Sequence, residues 1–213
     1  MSDIAAELKK HKLVTVAVLD DPADALNLSE VLARRGLPFL EITLRTEAAL
    51  DCIEAAAKNF PELTVGAGSV ADIRSLQAAK NAGASFAVSA GFDSGIISAA
   101  EGLGMPFIPG AATPTEIMAA LKFCKIIKIF PAALLGGSAY INAISAPFAS
   151  REFHLMPTGG IDASNLGEYL KAARVIACGM SWIAERGLIA AKDFKAVEER
   201  AAITASILKS HEP

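Results

Sequence analysis

Eight short β-branched and apolar runs, each followed by an alanine-rich amphipathic stretch or a loop leading into one, recur roughly every 20 to 27 residues along the 213-residue chain. No Pro/Ser-rich linker or charge run divides them. These two observations predict an α/β chain folded as a single closed (β/α)8 barrel, a TIM barrel, with an extra N-terminal helix and one domain spanning residues 1–213. A doubly wound open sheet is the alternative. It would carry a Gly-rich dinucleotide turn after its first strand, yet Asp20-Asp21-Pro22-Ala23 follows that strand here.

Taken in order, residues 1–12 begin Met1-Ser2-Asp3-Ile4-Ala5-Ala6-Glu7-Leu8-Lys9-Lys10, a short amphipathic helix without the apolar core of a signal peptide. Strands are expected over 13–19, 39–45, 64–69, 86–90, 106–110, 126–131, 153–158 and 175–181. Helices fall over 23–35, 47–59 and 71–82; Arg35-Gly36 and Asn81-Ala82-Gly83 are stop signals, and Thr113-Pro114-Thr115-Glu116 is a start. A terminal helix over 192–209 completes the count of eight β and about eight α segments.

Composition bounds the function. Hydrophobic residues make up 53% and mean hydropathy is +0.41 with 20% charged residues, which suits a sheet covered on both faces plus a subunit interface. Net charge is −3 and no Lys/Arg block stands out, which argues against nucleic-acid and polybasic membrane partners. No stretch reaches the roughly 18 apolar residues of a membrane span, and the expected location is the cytoplasm. Cys52, Cys124 and Cys178 lie far apart with no CxxC, as expected of reduced, packed thiols. His11, His154 and His211 are equally scattered, so no metal-ligand spacing exists among them and no metal is expected.

The chemistry starts at Lys128, a lone charge in Ile126-Ile127-Lys128-Ile129-Phe130-Pro131-Ala132. An unpaired ammonium in a strand buried on both faces costs roughly 3 kcal/mol or more, so such a lysine either loses its proton or finds an anion. A desolvated neutral amine attacks carbonyl carbon, which points to Schiff-base chemistry. On the second strand, alternation puts Leu40, Ile42 and Leu44 against the helices and Glu41, Thr43 and Arg45 into the barrel, with the two charges about 13 Å apart at Cα. Lys128 facing the lumen turns Ile127 and Ile129 outward and Ile126 and Phe130 inward. Glu41 and Lys128 then meet only across the lumen, where the carboxylate can shuttle protons for the lysine.

Two glycine motifs sit at strand ends. Gly66-Ala67-Gly68-Ser69 is expected to let the backbone approach a ligand. Pro157-Thr158-Gly159-Gly160 ends the seventh strand and Cys178-Gly179-Met180-Ser181 the eighth, the usual phosphate position in this architecture.

The segments Glu41-Ile42-Thr43-Leu44-Arg45-Thr46, Gly66-Ala67-Gly68-Ser69-Val70, Lys128-Ile129-Phe130-Pro131-Ala132 and Pro157-Thr158-Gly159-Gly160-Ile161 resemble, in order and across nearly the whole chain, the signatures of the 2-keto-3-deoxy-6-phosphogluconate (KDPG) and 4-hydroxy-2-oxoglutarate (KHG) aldolase family. The resemblance implies a cytoplasmic, homotrimeric class I aldolase that needs no cofactor or metal. It implies a keto-acid substrate, KDPG cleaved to pyruvate and glyceraldehyde 3-phosphate, or KHG to pyruvate and glyoxylate. By the same resemblance Lys128 is the Schiff-base lysine and Glu41 the general acid/base. Arg45 and Ser69 contact the substrate carboxylate, Phe130 packs on the substrate, and Thr158, Gly159, Gly160 and Ser181 complete the site at its phosphate end. Asp20, where some members have a basic residue, Ala90, Ala133 and Met180 depart from the family pattern. An aldolase for the galactonate-derived epimer, or a non-catalytic binder of phosphorylated sugar acids, are the alternatives.

Overall fold

Side-chain alternation along each strand sorts the apolar residues into two separate cores, and that division positions everything else. The computed structural model describes residues 4–211. Six parallel strands hydrogen-bond in the order β5 (Phe107–Ile108), β4 (Phe86–Val88), β3 (Thr64–Gly68), β2 (Phe39–Thr43), β1 (Leu13–Ala17), β9 (Cys178–Met180). A second parallel sheet runs β6 (Gly110–Ala111), β7 (Ile126–Ile129), β8 (His154–Pro157). Isolated bridges Leu155↔Val175 and Thr158↔Gly179 connect the β8 and β9 segments. The result is a TIM-barrel-like α/β fold.

The larger core lies between strands and helices: Leu40 and Ile42 of β2, Val65 and Ala67 of β3, Ile127 and Ile129 of β7 pack there. Helices α2 (Pro22–Arg35), α3 (Ala49–Asn59) and α10 (Phe194–Lys209) face it with residues such as Leu28, Leu32, Cys52, Ile53 and Val197. A second core fills the other face of the strands, from Val14, Phe39, Phe86, Val88, Ile108, Ile126, Met156 and Ile176. Helix α1 (Ile4–His11) closes this inner core from below, inserting Leu8, which is fully buried. With the lower inner face packed solid, polar inward positions remain only towards the C-terminal ends of the strands, the end that carries catalysis in such folds.

The expected helices form, and their ends follow local chemistry. Asp21 accepts from Ala23 N ahead of Pro22 at the start of α2, and Gly36, at φ 67°, closes that helix in a left-handed cap. Thr113 and Glu116 form a capping box at α6 (Pro114–Ala120).

Several boundaries need correction. The strand expected over 39–45 ends at Thr43, and Arg45 is exposed in the following turn. The strand expected over 106–110 divides into β5 and β6, because Pro109 has no N–H to give to a ladder. That over 175–181 shrinks to Cys178–Met180. Nine strand segments in two sheets therefore replace the eight expected strands of one closed sheet among the described residues. A five-residue helix, α9 (Arg186–Ala190), interrupts the loop before α10, and residues 1–3 of the expected first helix lie outside the described residues. Among the described residues no helix is long and apolar enough to cross a membrane.

Candidate active site

Lys128, third residue of β7, and Glu41, third residue of β2, come from strands in different sheets and meet on the inner face: Nζ lies 3.3 Å from Oε1. Their side chains are 7% and 0% exposed, so the pair is buried almost completely. The lysine has thus found an anion, one of the two outcomes expected for it, and no unpaired charge is buried. Its cation also lies 5.5 Å from the centre of the Phe130 ring.

Glu41 has a second distinctive atom. Its Oε2 is buried and has no hydrogen-bond partner among the described residues. A native fold rarely leaves a carboxylate oxygen orphaned, and the exceptions concentrate where a ligand or reaction supplies the partner. Space for this carboxylate comes from β3. A Cβ on Gly68 would stand 2.2 Å from Glu41 Oε1, closer than real carbon and oxygen atoms approach. Gly66 likewise leaves room for the Phe86 ring. These two glycines therefore admit protein side chains, a correction to the expectation that they let a ligand approach the backbone.

The remaining candidates form two clusters. Arg45, Gly160 and Ser181 line one cleft of about 440 Å³, together with Asp162, Glu185 and Arg186. Arg45 turns back towards Thr43. Its Nε donates to Thr43 Oγ1 at 3.2 Å and its terminal nitrogens have no protein partner among the described residues. Gly159 and Gly160 both hold positive φ, 99° and 73°, and Gly159 backs onto the Phe130 ring. Thr158 is buried, and its hydroxyl occupies the space a Cβ on Gly179 would need.

Ser69 lines a different cleft, of about 250 Å³, beside Ser89, Ala90 and Gly91. Ser69 follows β3 next to the turn that carries Arg45, since Thr43 pairs with Gly68 and Leu44 N donates to Gly68 O at 2.8 Å. Ser69 sits at φ 59°, a region that side-chain-bearing residues enter sparingly and that collects at ligand sites. Phe130 is 38% exposed and stands at the mouth instead of pointing fully inward as expected.

Sequence reasoning missed Asp162, Glu185 and Arg186. Their signal was available: charged residues directly after the last two strands, at the catalytic end of the fold. The Ser164 hydroxyl, helped by its backbone N–H, holds the Asp162 carboxyl below the usual carboxylate range. Elsewhere, burial pushes the Cys52 and Cys124 thiols up to about 11 and Cys178 higher still, so none is a poised nucleophile. Among the described residues no cluster of three or more His, Cys, Asp and Glu groups has metal-holding geometry.

Residues 4–200 match the family profile described as KDPG and KHG aldolase. A 2-dehydro-3-deoxy-phosphogluconate aldolase of Treponema pallidum is 39% identical over 198 residues, covering 92% of this chain and 93% of its own. The KHG/KDPG aldolase of Escherichia coli is 37% identical over 190 residues, covering 89% and 88%. Among solved structures, a KDPG aldolase from Legionella pneumophila with pyruvate captured as a covalent carbinolamine superposes with a TM-score of 0.88 at 33% identity, covering 94% of this chain and 97% of its own. A Zymomonas mobilis KDPG aldolase with 3-phosphoglycerate gives 0.88 at 31%, covering 97% of each.

Proposed function

Because the chain belongs to the KDPG and KHG aldolase family, we propose that Lys128 forms the imine with the substrate ketone and that Glu41 moves the protons. Membership makes the chain a class I aldolase acting on KDPG; the assignment of roles to its residues is the new step. The observation that carries it is the buried Lys128–Glu41 pair with one carboxylate oxygen left unpartnered.

The chemistry follows from that geometry. Transfer of a proton from Nζ to Glu41 frees the amine, which attacks C2 of the keto acid to give a carbinolamine. Glu41 returns the proton to the departing hydroxyl, water leaves, and a protonated imine remains. Glu41 then takes the proton of the C4 hydroxyl, for which Oε2 is the free acceptor. The C3–C4 bond breaks, its electron pair moves towards the iminium nitrogen as an enamine, and the aldehyde departs. Protonation at C3 and hydrolysis release pyruvate and regenerate the amine. The second product is glyceraldehyde 3-phosphate from KDPG and glyoxylate from KHG.

Within the same reading, Arg45 and Ser69 hold the carboxylate from the neighbouring ends of β2 and β3, Phe130 packs on the carbon chain, and Thr158, Gly159, Gly160 and Ser181 form the phosphate end. The bridges between the β8 and β9 segments, and the direct continuation of β5 into β6 across Pro109, support one closed (β/α)8 barrel and one domain over residues 1–213. Exposed Ile73, Met118 and Phe123 supply apolar surface for a homotrimer, and the working compartment is the cytoplasm.

Borohydride reduction in the presence of pyruvate tests the assignment directly. A stable secondary amine is expected on Lys128 by peptide mass mapping, unaffected by chelators, and absent in Lys128→Met along with cleavage. An adduct on another lysine overturns the role given to Lys128.

A further inference from the structure

The cleft that holds Gly160 and Ser181 has a second guanidinium, and its bonding differs from that of Arg45. Arg186, at the start of α9, reaches across the mouth to Asp20, which follows β1: Nη2 lies 3.1 Å and 3.4 Å from the two carboxylate oxygens. Both partners are well exposed, with side chains 64% and 58% accessible, so water and salt screen their attraction and an anion of higher charge can displace the carboxylate. All the bonds from Arg186 to Asp20 run through Nη2. Nε and Nη1 have no protein partner among the described residues. The other carboxylates of the cleft are already engaged: Glu185 with Arg200 at 2.7 Å, and Asp162 with the Ser164 amide and hydroxyl.

We propose that Arg186 is the residue that selects a phosphorylated substrate tail, and that Asp20 is its resident counter-ion, which the phosphate must displace. This rests on the aldolase reading above and adds to it a residue that discriminates between substrates. A planar guanidinium fork offers two parallel charge-assisted hydrogen bonds to either anion, and the greater charge of a phosphate dianion favours it over the single exposed carboxylate. The neighbouring Asp21 and Asp24 are held by Lys192 at 3.3 Å and 2.6 Å, which fixes the loop that carries Asp20 while leaving Asp20 to Arg186 alone. Removing Asp20 therefore favours phosphate, and removing Arg186 penalises it.

The test is the ratio of kcat/KM for KDPG to that for KHG, which lacks the phosphorylated tail. In Arg186→Gln this ratio falls about tenfold or more, as expected for loss of one charge-assisted pair, and the loss appears mainly in KM for KDPG. Arg186→Lys, which keeps the charge without the fork, recovers part of the ratio. In Asp20→Asn the ratio rises, by about twofold to fivefold, the scale of an exposed ion pair. A ratio unmoved in Arg186→Gln overturns the inference, including the case in which both substrates lose equally. Should that variant not fold, a ratio unmoved in Asp20→Asn overturns it independently. Wild-type protein that forms no borohydride adduct with pyruvate refutes the aldolase reading instead, so the two failures are distinct.

Discussion

At the scale of single residues, Glu41 matters through what each of its oxygens does: one holds Lys128, the other is buried and unoccupied. Glu41→Gln keeps the size and removes the proposed proton carrier. Steady-state turnover should drop by about 10²- to 10⁴-fold while the far-UV circular dichroism is retained, and turnover within about threefold of wild type would remove Glu41 from the role. Gly68→Ala attacks the same group indirectly, since the new methyl would overlap Oε1. It should lower kcat strongly with a smaller change in Tm, and normal kinetics would show that the carboxylate has somewhere else to go. Lys128 and Glu41 were legible because strand alternation is rigid and a charge on an inward position is conspicuous. The glycines beside them were misread because a strand glycine announces a close approach without naming who approaches. Arg45 lies two residues past the end of its strand and still keeps to the side of Thr43, to which its Nε donates.

Elements show where local chemistry is enough. The Thr113-Pro114-Thr115-Glu116 start was legible because both halves of the capping box lie within four residues, and the structure forms it with Glu116 Oε2 accepting from Ala112 N at 2.7 Å and Thr113 N at 2.8 Å. Thr113→Ala should cost about 1 kcal/mol, a Tm loss of roughly 2–4 °C by calorimetry. The Ala112 amide, with Thr113, holds the Glu116 carboxyl below its ordinary range. A group depressed on folding stabilises above its unfolded pKa and loses that contribution as pH falls through the folded value. The difference in Tm between wild type and Glu116→Gln should therefore be largest near neutrality and shrink on acidification below the carboxylate range. A constant difference would mean that the box works through shape alone. By contrast, the junctions between sheets were not legible. Splitting of the 106–110 segment depends on Pro109 and on how near the Ala90 carbonyl stands to Gly110, a contact between residues far apart in sequence.

For the molecule as a whole, the alternation of strand and helix along the chain set the TIM-barrel-like architecture, while the role of the first helix depended on a contact no periodicity encodes. Leu8 completes the inner core from below. Leu8→Ala should lower Tm by roughly 5–15 °C through the cavity it leaves, and an unchanged melting curve would deny α1 a structural part. The proposed trimer has its own measurement: light scattering should return three times the 22.1 kDa chain mass, and Met118→Asp should lower it. The solid inner core has one more effect, on traffic. With Leu8, Phe39 and Phe86 packed at the base among the described residues, the site opens at the C-terminal ends of the strands, and what enters there leaves the same way. Under the role proposed for Lys128, the half of the substrate bonded to it is the inner one, and the aldehyde half lies nearer the mouth. The products must therefore queue, aldehyde first and pyruvate last. Pyruvate should accordingly inhibit cleavage competitively against KDPG, whereas glyceraldehyde 3-phosphate should give mixed inhibition, and the reverse pattern would mean a second way out.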